Sequence, residues 1–192
     1  MRTNRRFLLA PSLARLIEKE RGGHRVTEGY FADQPRGNTY VRLEEGLGSL
    51  ILVRHGSGER LEETTDLPRS QAEALLDLTP GGVTYRRIPL SFGPSRAQVL
   101  RFTAPGSLDL ISVEFERDDN AREFQPLPWF GPEVTTAPSY QNRSLALAGL
   151  PETRDVELTD AALNSLLDTL EDRVVAWHPP PQRVWLKQRA AS

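Results

Sequence analysis

A chain of 192 residues can bury one core of ordinary size and does not require a second full domain. With 24 cationic and 26 anionic residues the formal charge is −2, so no whole-molecule field for duplex nucleic acid or an anionic membrane is expected, and any anion site must be local. The absence of cysteine excludes disulfides, thiol nucleophiles and thiolate metal sites, which leaves a hard cation held by carboxylates as the natural metal.

Only Lys19 and Lys187 are lysines, so 22 of the cations are arginines, whose planar forks match phosphate oxygens. GC-rich coding produces the same bias. The apolar stretch Phe7-Leu8-Leu9-Ala10 stops at Pro11, too short for a signal or membrane core, and a cytoplasmic protein is expected.

Residues 2–9 are predicted to form a strand, and Pro11-Ser12 opens an amphipathic helix with Leu13, Leu16 and Ile17 on one side, ended by Gly22-Gly23. Short strands follow over 26–32, 38–44, 49–55 and 59–67, separated by Pro-Arg-Gly, Glu-Gly-Leu-Gly and Gly-Ser-Gly turns in the manner of an antiparallel meander. A second helix is expected over 69–78, with strands again over 83–92, 97–103 and 108–117. Beyond the proline-rich stretch around Trp129 no regular element is evident until a helix capped by Thr159, with Leu163, Leu166, Leu167, Leu170, Val174 and Trp177 at helical spacing. Its leucine face is expected to dock on the outside of the sheet or to form a homodimer contact. The expected class is mainly β with flanking helices, as an antiparallel closed barrel over 1–150 and a helix with a proline-containing tail over 151–192.

Ionisable residues recur at every second position of several strands, and side chains two apart share a face. Arg42 and Glu44 do so, as do Arg60 and Glu62, Tyr85 and Arg87, and Glu114 and Glu116 with Val113 and Phe115 opposite. This alternation suits the solvated side of an open sheet and the lumen of a barrel equally. The three histidines, His24, His55 and His178, lack metal-ligand spacing and point to surface roles. Ser57 and Ser91 lack the context of an activated serine, and Gly56-Ser57-Gly58, without the lysine and following helix of a phosphate-binding loop, is expected to be a hairpin turn.

Trp129-Phe130-Gly131-Pro132-Glu133-Val134-Thr135, followed by Tyr140, Asn142 and Leu145, resembles the W-x-G-x-E-V-T…Y-x-N-x-x-L ending of the CYTH superfamily. Glu28-Gly29-Tyr30-Phe31 is similar to its Q-G-Y-L, Val41-Arg42-Leu43 to its V-R-x-R strand, and Leu52-Val53-Arg54 to its T-I-K strand. Arg60-Leu61-Glu62 resembles R-x-E-x-E, and Glu114-Phe115-Glu116 the late E-x-E. The resemblance implies a barrel of about eight strands that binds a triphosphate or related polyanion. Arg6, Arg42, Arg54, Arg60 and Arg87 would be its ligands, Glu62, Glu114 and Glu116 the magnesium or manganese ligands, and Glu114 and Glu116 the catalytic pair of a triphosphatase-type hydrolase. A non-catalytic module that senses a polyanion or nucleotide on the same barrel is the alternative. The family's first-strand E-x-E-x-K falls on Arg2, Asn4 and Arg6, the second arginine of V-R-x-R on Glu44, and the last acid of R-x-E-x-E on Thr64. These departures imply weakened metal binding.

Overall fold

The computed structural model describes residues 3–32, 37–55, 60–92, 95–152 and 155–171, with His55, Arg60 and Ser95 described by backbone alone. Eight strands form one antiparallel sheet: β1 (Thr3–Leu8), β2 (His24–Tyr30), β3 (Gly37–Glu44), β4 (Leu47–His55), β5 (Arg60–Leu67), β6 (Gly81–Phe92), β7 (Ser95–Ala104) and β8 (Leu108–Phe115). Their order is β1-β8-β7-β6-β2-β3-β4-β5. The helices are α1 (Pro11–Arg21), α2 (Arg69–Leu76), α3 (Asp118–Glu123), α4 (Asn142–Ala148) and α5 (Asp160–Leu170). Among the described residues no helix is long and apolar enough to cross a membrane.

Each face of the sheet has its own apolar core. On the outer face Phe7, Ile88, Leu90, Val99, Ile111, Val113 and Phe115 pack with Leu13, Ala14 and Ile17 of α1, with Trp129, and with Ala162 and Leu166 of α5. The Trp129 indole N–H donates to the buried Thr169 hydroxyl at 3.1 Å, which fixes α5 on the sheet. Thr159 caps α5 as expected, its hydroxyl accepting from the Ala162 amide. Val174 and Trp177, predicted for the same helix, lie outside the described residues.

The inner face carries Leu8, Val26, Tyr30, Tyr40, Ile51, Val53, Val83, Tyr85, Leu100, Phe102 and Leu110, closed at one end by Tyr140 and by Leu145 of α4. The strand β6 admits that helix because residue 81 is glycine: a Cβ there would lie 2.1 Å from the Ala146 carbonyl oxygen. Neither α3 nor α4 is legible in the sequence, since six- and seven-residue helices are too short to show a period.

The ladder does not close as the expected barrel would. Among the described residues β5 and β1 are the two ends of the sheet, with no pairing between them. The free edge of β1 is taken by the segment 131–135 instead. Leu8 N–H donates to Pro132 O, Gly131 N–H to Leu8 O and Val134 N–H to Arg6 O, while Arg6 N–H donates to the Thr135 hydroxyl. The Trp-x-Gly-x-Glu-Val-Thr run therefore works as a ninth, irregular strand. At the other end, residues 61–66 of β5 are exposed on both faces, and the charged run Leu61-Glu62-Glu63-Thr64-Thr65-Asp66 guards the edge against further pairing.

Candidate anion site on the inner face

Strand register sorts the ionisable residues more sharply than alternation does. On the inner face successive cross-strand rungs are Glu62–Val53–Asn38, Thr64–Ile51–Tyr40–Tyr30–Gly81, Asp66–Ser49–Arg42–Glu28–Val83 and Leu47–Glu44–Val26–Tyr85–Phe102–Leu108. Three more follow: His24–Arg87–Leu100–Leu110–Leu8, Pro89–Gln98–Ser112–Arg6 and Ser91–Arg96–Glu114–Asn4. Arg6, Arg42, Arg87, Glu62 and Glu114 share this face.

Arg54 does not. It pairs with Leu61 and Gly37 on the opposite face, where 64% of its side chain is exposed and its guanidinium donates to Glu63 at 2.6 Å. In β4 both faces are apolar, so the sequence gives no direction for Arg54, and the register decides it. Leu52 lies on that outer side too, whereas Leu100 fills the inner face. Arg60 starts β5, and its side chain is outside the described residues. Glu116 follows the end of β8 and is exposed.

The centre of the face is a residue that sequence reasoning did not single out. The Glu28 carboxylate, 1% exposed, accepts from four donors: Arg42 Nε at 2.9 Å, Tyr85 hydroxyl at 3.0 Å, Tyr30 hydroxyl at 2.7 Å and Asn142 Nδ2 at 2.9 Å. Burial pushes its pKa up, but the Arg42 charge and the bonds from Asn142, Tyr30 and Arg42 outweigh this and hold it below the usual carboxylate range. Burial and the adjacent Glu28 charge raise both tyrosine hydroxyls above their ordinary value, so they remain donors. The available signal was strand parity, because Glu28 stands directly across from Arg42.

Asn142 also ties this centre to β1. Its Oδ1 accepts from Arg6 Nη1 at 3.2 Å, and the same nitrogen donates to Tyr140 O at 2.9 Å. As β1 and β2 are separated by three strands, one asparagine reaching both shows that the sheet curls around this face. Desolvation lowers the Arg6 pKa, partly offset by Tyr30, Tyr85 and Glu28 nearby. Arg6 Nε is buried with no hydrogen-bond partner, and Arg6 forms no ion pair among the described residues.

A second cluster lies one rung further on. Arg87 Nη1 donates to both oxygens of Glu44, at 2.6 and 2.9 Å, and Nη2 to the Tyr85 hydroxyl at 3.1 Å. His24 Nε2 is 2.5 Å from Glu44 Oε1, so this histidine, expected at the surface, belongs to the inner-face network.

The carboxylates expected to hold a metal are not brought together. Glu62 and Glu114 occupy the first and last of the seven rungs, and among the described residues no group of three histidines or carboxylates could hold a metal ion. Asn4, a neutral amide, also stands where the resemblance expects a carboxylate, so the described part of the inner face does not fit a preformed divalent site.

No family model matches the chain. An inorganic triphosphatase from Nitrosomonas europaea is 51% identical over 41 residues, which are 21% of this chain and 27% of that protein. The match thus spans about a quarter of that relative's length. The crystal structure of the inorganic triphosphatase NE1496 superimposes with a TM-score of 0.57 at 26% identity, covering 77% of this chain and 95% of that one. A second, titled as the hypothetical protein NE1496, gives 0.58 at 27%, covering 79% and 100%. The chain has the fold of these structures.

Proposed function

We propose that this is a divergent CYTH-like protein that binds a triphosphate or related polyanion on the inner face, with Arg6, Arg42 and Arg87 as its ligands. The reading is carried by the likeness to NE1496, titled an inorganic triphosphatase, over nearly that whole protein. It is supported by three arginines from three strands on one curled face. Arg6 comes first among them, because it is partly buried with no ion pair among the described residues and gains most from an anion, whereas Arg42 is already committed to Glu28.

Hydrolysis assisted by magnesium or manganese is the second reading, for which the likeness to an inorganic triphosphatase supports the hydrolysis. The separation of Glu62 from Glu114 favours the non-catalytic alternative instead, so binding is the primary proposal. Titration calorimetry tests it: triphosphate should bind more tightly than monophosphate, because charge-assisted contacts accumulate only on the longer anion, and Arg6→Ala should weaken it by about tenfold or more. Equal affinity for the two anions, or no binding of either at low salt, would overturn it.

A further inference from the structure

The second cluster has an unusual composition for an anion site, since its arginine is already satisfied by the protein's own carboxylate. Glu44 and Glu28 each pair with an arginine, Arg87 and Arg42, but differ in how firmly they are held. Glu28 is 1% exposed, with four donors around it. The Glu44 side chain is 22% exposed, is the last residue of β3, and precedes a two-residue hairpin turn in which Glu45 and Gly46 have φ of 49° and 82°. It can swing away with little loss of packing, and His24 gives it a second partner when Arg87 is taken.

Resting on the triphosphate reading, we propose that Glu44 is the specificity-determining residue of this site, an internal carboxylate that occupies Arg87 and admits only anions charged enough to displace it. The contact geometry supports this, because Arg87 meets both Glu44 oxygens through the single nitrogen Nη1, a charge-assisted contact that a phosphate oxygen can take over. A monophosphate or pyrophosphate gains too few contacts to replace a bound carboxylate. A triphosphate reaches Arg6 and Arg87 together and does so. Arg87 Nε, buried and without a hydrogen-bond partner among the described residues, offers the incoming anion a further contact. Glu44 acts on the ligand through Arg87 and is a positioning residue.

The test is calorimetry of phosphate, pyrophosphate and triphosphate against the wild type, Glu44→Gln, Glu44→Asp, and Arg87→Ala with and without Glu44→Gln, with thermal melts as a folding control. Glu44→Gln should tighten pyrophosphate by about tenfold and narrow its gap to triphosphate, while Glu44→Asp, which keeps the charge, retains the wild-type order. In the Arg87→Ala background the Glu44→Gln effect should vanish. If the wild type prefers triphosphate and Glu44→Gln changes no affinity by more than about twofold, the role of Glu44 is refuted and the triphosphate reading stands. If neither the wild type nor folded Glu44→Gln binds any of the three anions, the triphosphate reading falls and this inference with it.

Discussion

Replacing Arg42 by alanine should strand a buried charge. Glu28 would keep the two tyrosine donors and Asn142 but lose the one ion pair it has among the described residues, in a position 1% exposed. Breaking a buried pair by removing one partner costs about 3–5 kcal/mol, and because the Arg42 side chain is 30% exposed the lower end, about 3 kcal/mol, applies here. For a chain of this size that is a fall in Tm of about 6–12 °C, readable by calorimetry or circular dichroism. The pH dependence supplies a sharper check. In the wild type the lowered Glu28 pKa contributes stability that is present above the unfolded value, about 4.3, and is lost as pH falls through the folded one. Without Arg42, burial is no longer outweighed, the folded pKa moves up, and stability is instead lost as pH rises through it. The penalty should therefore be smaller at pH 5 than at pH 8, and Glu28→Gln should recover part of it in the double variant. A fall of less than about 2 °C, or the same fall at both pH values, would refute this account of the centre.

Gly131→Ala should destabilise by about 1–3 kcal/mol, because the added Cβ would meet Leu8 O at 2.7 Å and Val156 at 2.9 Å in the segment that pairs with β1; urea denaturation measures it. Trp129→Ala, which removes a 1% exposed indole and leaves the buried Thr169 hydroxyl without its donor, should cost about 3–5 kcal/mol and expose α5 to early hydrogen exchange. Asn4 is directly across from Glu114, so Asn4→Glu places two carboxylates on one rung, and manganese binding measured by electron paramagnetic resonance should strengthen relative to the wild type. Unchanged manganese affinity would show that the first-strand acids are not what the inner face lacks.

The strands and the three longer helices, α1, α2 and α5, were legible because a period of two shows within six residues and a helical one within eight or more. The direction of each side chain was legible only where one face is apolar and the other is not. In β8, Val113 and Phe115 are buried and Glu114 is not, as the alternation implies. In β4 and β5 alternation fails for opposite reasons: Leu50 to Val53 are apolar on both faces, and Leu61 to Asp66 are exposed on both. Arg54 was assigned by motif in one of these strands, and the register puts it outside. Glu28 was hidden by a different limit. A carboxylate at 1% exposure is recognisable only once its four donors are known, and these come from β2, β3, β6 and the start of α4, up to 114 residues apart.

The position of β1 also bears on how the chain is made. Its partners are β8, with Thr3 opposite Phe115, and the segment at 131–135, so both edges of the first strand wait for residues more than a hundred positions later. The strands β2 to β5 pair mostly with sequence neighbours through short turns and can assemble early. During synthesis β1, whose Phe7 and Leu8 are buried in the finished fold, therefore lacks both its partners until residues 110–115 and 131–135 have left the ribosome. The inner face, to which β1 contributes Arg6, therefore cannot be complete before the segment at 131–135 and Asn142 have been made.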